Sequence, residues 1–410
     1  MTPVFCCGFE CGILSAVGGE HFQSTGTASI STTTVRSGSR SIRFNPTAAT
    51  GSALSPTFSS SPTYIWRLYV WFASLPTSDA RISFMSGPAG DPGAWFKQSD
   101  SSIYAGISGA YGATGVQITT QKWYRIDIKV EAQSNPWLID VKVDGVDCGQ
   151  KTNAVASSSS TNIRIGNNAN NTMDMFIDDV IISQDLADYP IGKGYIHPYT
   201  TIADGTHNIA GTGDFQRGNT AVDILNATTT AWQLVDDVPL PSGAVAEADC
   251  WRGVAPATPA TDYVEGLFGP AAGFPTPTIA PRAVDVILAH HQIATTAGQM
   301  EVRLNDNGTT VTVFNTGVGA AGVTTYRYAR NHFATAPTGG AWTVTAGAGN
   351  FNNIRCRFLA QDANPDQCLD AIMIEAEFAE FEHKQPEIQQ PYFGKTIVLS
   401  SGQKNNIKLP

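Results

Sequence analysis

The run Gly166-Asn167-Asn168-Ala169-Asn170-Asn171-Thr172-Met173-Asp174 crowds amide and carboxylate oxygens into one short stretch. That is the donor chemistry of Ca²⁺, which takes about six to eight oxygens. Asn168, Asn170 and Asp174 are the calcium candidates. The same composition makes ordinary turns, because Asn tolerates left-handed backbone, and no cofactor is expected. Cys6, Cys7 and Cys11 offer thiolates, but zinc sites usually draw on spaced Cys and His pairs. On a strand Cys6 and Cys7 also point to opposite faces, so the three read as small buried hydrophobes. His290 and His291 are divided in the same way. No Gly-x-Ser-x-Gly turn sets up a nucleophile.

Trp95, Phe96, Tyr104 and Tyr111 lie in a stretch rich in Gly, Ser, Asp and Pro. Aromatic rings with polar neighbours make a ligand surface, so these four are the candidates for glycan or partner contact; filling the edge of a core is the alternative. A second contact is expected from residues 383–410, a polar, Gln-rich tail around Lys395-Thr396-Ile397-Val398-Leu399. There Ile397, Val398 and Leu399 form a strand-capable assembly arm able to add to a neighbour's sheet edge.

The elements that must hold these residues read as strands. Ile126, Ile128 and Val130 share one face and Arg125, Asp127 and Lys129 the other, a period of two. Ile139, Val141 and Val143 repeat the pattern around Asp140 and Lys142, and Asp144-Gly145 is a favoured hairpin pair. The spacing predicts a solvent-facing ladder in which Asp127 and Lys129 meet Asp140 and Lys142. Tyr64 to Phe72 is apolar on both faces apart from Arg67, as in a central strand. In the second half Val284, Val286 and Leu288 alternate, as do Met300, Val302 and Leu304, and Asp306-Asn307-Gly308 supplies a turn. No stretch carries a helical period.

Composition agrees. Charged residues are 15% of the 410, against about 25% in ordinary domains; glycine (39) and proline (23) are abundant and 42% is apolar. Helical bundles and disorder are excluded. A net charge of −10 without a Lys/Arg run argues against nucleic acid or an anionic membrane. Seven cysteines are an odd number, and neither a signal peptide nor a membrane-spanning apolar run is evident. Folding in a reducing compartment is therefore expected, with the Asn-x-Thr triplets at Asn170, Asn226 and Asn307 unglycosylated.

Each half closes on an echo. Asn162-Ile163-Arg164 precedes Asp178-Asp179-Val180-Ile181-Ile182, and Asn353-Ile354-Arg355 precedes Asp370-Ala371-Ile372-Met373-Ile374. Asp178 is expected to tether a loop by hydrogen bonds. The reading is all-β: two tandem antiparallel β-sandwiches of jelly-roll type, residues 1–188 and 189–382, and an extended C-terminal arm, 383–410.

Gly8-Phe9-Glu10, Ser37-Gly38-Ser39-Arg40-Ser41-Ile42-Arg43-Phe44, Trp123-Tyr124-Arg125-Ile126-Asp127-Ile128, Val143-Asp144-Gly145 and Phe176-Ile177-Asp178-Asp179-Val180-Ile181-Ile182 stand in this order. In this the first half resembles concanavalin-A-like (laminin-G-like) jelly rolls. Some of that superfamily cleave glycans with a Glu-x-Asp-x-x-Glu-type array. Here Arg125-Ile126-Asp127-Ile128-Lys129-Val130-Glu131 sets an arginine where the nucleophile belongs, so catalysis is not expected, glycoside hydrolysis being a distant third reading. The second half, through Ala203-Asp204-Gly205-Thr206-His207-Asn208, Ala260-Thr261-Asp262-Tyr263-Val264, Arg303-Leu304-Asn305-Asp306-Asn307-Gly308 and Leu369-Asp370-Ala371-Ile372-Met373-Ile374-Glu375, resembles modules of tailed-bacteriophage virion proteins. The resemblance implies a non-enzymatic structural protein of a virion, in the tail or decorating the capsid, assembled in the host cytoplasm. Its partners would be other virion proteins and further copies of itself. The alternative is an adhesin that binds a host surface glycan.

Overall fold

The computed structural model describes residues 2–380 except 15–20, 89, 134, 155–157, 212–213, 219, 221, 225–229, 238, 243–248, 255–257, 259–260, 293–298, 316–325 and 362–366. The C-terminal arm with Ile397, Val398 and Leu399 lies outside the described residues. The chain forms three antiparallel sheets. Among the described residues the helical segments are short 3-10 turns, and no helix is long and apolar enough to cross a membrane.

In the first domain, one sheet runs in the order Val146–Asp147, Trp137–Val143, Trp123–Glu131, Thr63–Ser74, Asp174–Ser183, Ser41–Phe44, Ala28–Ser31. Pro3–Cys7 joins it beside Asp174–Ser183. The facing sheet runs Ala110–Tyr111, Ser102–Ile107, Gly93–Lys97, Ala80–Ser86, Asn162–Asn171, Ala49–Leu54, Gln23–Gly26. Ile126, Ile128, Val130, Leu68 and Val70 from the first meet Ile82, Ile103 and Ile165 from the second in one core. This is the sandwich that the alternation calls for. Asp144 and Gly145 both take positive φ, 51° and 85°, the backbone of a two-residue hairpin loop.

The charged ladder has the expected register, Asp127 opposite Lys142 and Lys129 opposite Asp140. Its environment differs from the solvent face expected for it. Asp127 is 0% and Asp140 6% exposed, because residues 189–192 run over them. Gly192 N donates to Asp127 Oδ1 at 3.0 Å and the Tyr189 hydroxyl to Asp140 Oδ1 at 3.0 Å. The outer face of this sheet is an interface.

The second domain is built on one sheet in the order Phe215–Arg217, Trp251–Gly253, Gln367–Ala379, Gly194–Asp204, Tyr263–Pro270, Arg355–Ala360, Met300–Asp306, Thr309–Asn315. Pro281–Gln292 pairs along most of Gln367–Ala379 and carries Arg327–Phe333 on its other edge. Val284, Val286, Leu288, Met300, Val302, Leu304 and Ile374 enter a second core. Asn307 and Gly308 form the turn, at φ 49° and 95°. The two Asp-led strands of the echo are both interior in their sheets, flanked on each side by a paired strand.

Candidate functional site

Alternation leaves the outer face of the second domain's sheet with charges. Where Val284, Val286, Ile374 and Ala376 turn inward, Asp285, Glu375 and Glu377 turn outward, and all three are fully buried against the first domain. A buried charge is tolerable only if it is paired and hydrogen-bonded. Arg67 of the first domain meets Glu377 at 2.8 Å, and Arg282 Nε reaches the same carboxylate at 2.7 Å. Arg330 lies 2.7 Å from Asp285 and 2.9 Å from Glu375, while Cys6 N donates to Asp285 at 3.0 Å and Glu10 N to Glu375 at 2.8 Å. Burial raises the Asp285 carboxyl, but Arg330 and His332 outweigh it and hold the group below its ordinary range.

At the margin of this junction a cleft of about 360 Å³ opens between Arg36, Tyr69, Trp123, Arg125, Asp144, Lys193 and Glu380. Trp123 and Arg125 are two apart on one strand, so they share a face, and Arg125 stands directly across from Tyr69. The Arg36 guanidinium lies 3.4 Å from the Tyr69 ring centroid and is fixed by Asp179 at 2.6 Å and Glu380 at 2.7 Å. Arg125 donates from Nε to Asp127 at 2.7 Å and from its backbone to Asp144 at 2.9 Å. Tyr69, 5% exposed, is covered by Arg36, so the cleft presents the partly exposed Trp123 ring together with fixed guanidinium groups and carboxylates. A second recess, of about 510 Å³, is lined by Thr2, Ser61, Pro62, Thr63, Gln133, Gln184, Asp185 and Leu186, without an aromatic or cationic side chain.

The aromatic residues singled out in the sequence do come together, on the outer face of the other sheet, except Phe96, which points into the core and is 1% exposed. Trp95 meets Tyr111 edge-on at 6.2 Å, and Tyr111 meets Tyr104 at 5.4 Å. Their polar atoms are used: Trp95 Nε1 donates to Asp91 O at 3.0 Å, the Tyr104 hydroxyl to Asp100 at 2.6 Å, and the Tyr111 hydroxyl to Asp79. Arg81 covers the Trp95 ring at 4.6 Å, leaving Trp95 6% exposed. This is a self-packed patch more than an open platform.

Of the calcium candidates, Asn168 and Asn170 are exposed, while both oxygens of Asp174 take hydrogen bonds of 2.8 Å from Arg43. Cys6, Cys7 and Cys11 are buried free thiols. Asp178 tethers the 36–37 loop, accepting from Arg36 N at 2.9 Å and Ser37 N at 3.4 Å. Glu10 anchors the same loop further on, accepting from Ser39 N at 2.9 Å, Ser39 Oγ at 2.7 Å and Arg40 N at 3.2 Å. The Gly8-Phe9-Glu10 and Ser37-Gly38-Ser39-Arg40 segments are therefore two halves of one contact.

One constellation has no counterpart in the sequence reading: Cys250, His291 and Cys368, whose ligand atoms lie within 4.8 Å of one another. Burial raises the Cys368 thiol, yet Cys250 and His291 beside it bring it below its ordinary value.

No family model and no curated protein matches the chain. Solved structures similar to it include domain 4 of AbnA, an extracellular GH43 arabinanase from Geobacillus stearothermophilus, determined with arabinotriose. That likeness has 18% identity and a TM-score of 0.33 over 45% of this chain and 92% of that one. Trypanosoma rangeli sialidase, in complex with the inhibitor DANA, is similar at 13% identity and a TM-score of 0.28, over 38% of this chain and 27% of the sialidase.

Proposed function

We propose that the protein is a non-catalytic saccharide-binding protein whose ligand sits in the cleft at the domain junction. The observation behind this reading is the composition of that cleft: the partly exposed Trp123 ring beside Arg36, Arg125, Asp144 and Glu380. A sugar ring has apolar C–H faces that pack on aromatic carbon, and hydroxyls that donate and accept at once. Fixed guanidinium and carboxylate groups match those hydroxyls in both senses. Binding suits the arrangement better than hydrolysis, which needs one free carboxyl as acid and a second as nucleophile or base. Here Glu380 is held by Arg36 at 2.7 Å and Asp144 lies 3.5 Å from Lys122.

The test is a glycan array probed with the labelled chain. Saturable binding that disappears in Trp123→Ala, with the fold retained, supports the proposal. A blank array sinks it, and co-purification of the chain with phage particles would then favour the structural role expected from the sequence.

A further inference from the structure

The strand Gln367–Ala379 carries an extra residue at Asp370. Pairing with Pro281–Gln292 runs through Ala289 opposite Ala371 and then His290 opposite Leu369, which leaves Asp370 between the two. Such a bulge re-aims the side chains that follow it. Ile372, Ile374 and Ala376 face the core on one side of it and Leu369 on the other, so Cys368 turns outward, directly across from His291. On the opposite edge Trp251 pairs with Leu369 and Arg252 with Cys368. Trp251 is in the core, which places Cys250 on the outer face, diagonal to Cys368. Two strands and the residue leading into a third thus deliver two thiols and an imidazole to one spot, at 0%, 2% and 0% exposure for Cys250, His291 and Cys368.

The imidazole is already oriented. Both Asp370 oxygens lie 2.8 Å from His291 Nδ1, so the carboxylate engages Nδ1 and leaves Nε2, buried among the described residues, as the nitrogen available to a metal. A carboxylate behind a histidine is the arrangement that fixes ring and tautomer in metal sites. Among the described residues no other trio of His, Cys, Asp or Glu brings its ligand atoms this close.

We propose that Cys250, His291 and Cys368 form a zinc site, with Asp370 as the outer partner of the histidine and a fourth position open to water or a further donor. Two sulfurs and a nitrogen select a thiophilic ion of this class over calcium or magnesium. Bonds of about 2.3 Å to sulfur and 2.0 Å to nitrogen set tetrahedral ligand atoms about 3.5–3.8 Å apart, so binding draws the three inward by no more than about 1 Å. Coordination displaces the two thiol protons into solvent and involves no oxidant.

The full chain, reduced and stripped with a chelator, is titrated first with Co²⁺ and then with Zn²⁺. The expected result is one Co²⁺ per chain, with intense thiolate-to-cobalt charge-transfer absorption that Zn²⁺ abolishes. Cys250→Ser and Cys368→Ser each lose that absorption, Cys148→Ser in the other domain keeps it, and Asp370→Asn keeps it with affinity weakened about 10–100-fold. A folded chain with its thiols free that binds no Co²⁺ overturns the proposal. So does a spectrum that survives both cysteine substitutions. Circular dichroism of each variant separates lost ligands from lost folding.

Discussion

Arg67 and Glu377 lie 310 positions apart in the sequence and 2.8 Å apart in space, with neither side chain exposed to solvent. Each comes from an interior strand of its own sheet, and the pair closes the junction between the two domains. Arg67 also donates to Asp179 O at 3.1 Å and Gly192 O at 3.3 Å. The arginine that interrupts an otherwise apolar strand is there for the neighbouring domain.

Removing Arg67 leaves Glu377 with Arg282, but removing Glu377 strands the Arg67 charge in the interior. Glu377→Leu is expected to lose about 3–5 kcal/mol of stability, whereas the double variant Arg67→Met, Glu377→Leu should recover most of it. Denaturant unfolding followed by tryptophan fluorescence measures both. A double variant no more stable than the single one would show that Arg67 acts through its carbonyl contacts instead.

Glu10 gives the junction a pH dependence. Burial lifts its carboxyl from 4.5 to about 8, against the lowering effect of its Ser39 hydrogen bonds. The unfolded chain releases this proton above about 4.5 while the folded chain keeps it, so stability attributable to Glu10 falls as pH rises through that window and levels off above 8. The slope is roughly 1 kcal/mol per pH unit. Glu10→Gln should flatten it, and unfolding curves from pH 5 to 8 for both proteins check the sign.

Gly38 takes φ 68°, and a Cβ added there would fall on Glu10 Oε1. Gly38→Ala should cost on the order of 2 kcal/mol, through the backbone penalty and the displaced carboxylate together. A thermal melt at one pH reads the cost. Loss of the Glu10 pH slope in the same variant would show that the anchor itself has gone.

Trp123 and Trp95 should separate binding from packing. Trp123 is partly exposed in the junction cleft, so Trp123→Ala is expected to abolish saccharide binding while moving stability by less than about 1 kcal/mol. Trp95→Ala should leave binding intact and destabilise the first domain by about 3 kcal/mol, since Arg81 and Tyr111 lose the ring they pack on. Opposite outcomes would move the site to the aromatic patch.

Much of the fold was legible because its strands have one core-facing edge, as Ile126, Ile128 and Val130 do, and a period of two then names the inward residues. What covers the other edge is not written in that period. Asp127 and Asp140 share the predicted face, but their burial depends on the chain at 189–192 returning over them. The aromatic cluster at Trp95 was visible from composition, whereas the Arg81 guanidinium that closes it comes from an adjacent strand. Cys250, His291 and Cys368 were beyond reach for a sharper reason. A single bulged residue, Asp370, decides which face Cys368 takes, and no local pattern announces a bulge.

The strand Pro3–Cys7 pairs with the first domain, yet the Cys6 thiol reaches Glu375 O at 3.5 Å, 369 positions away. The junction therefore has a very high contact order, and during synthesis it cannot form until the strand Gln367–Ala379 has emerged. Until then Cys6, Cys11 and Arg67 wait without the strand that buries them, so the first domain must reach its fold with this face still wet. Completion of the second domain acts as a late latch. Oxidation or misassembly of those early thiols has its opportunity only in the interval before it closes.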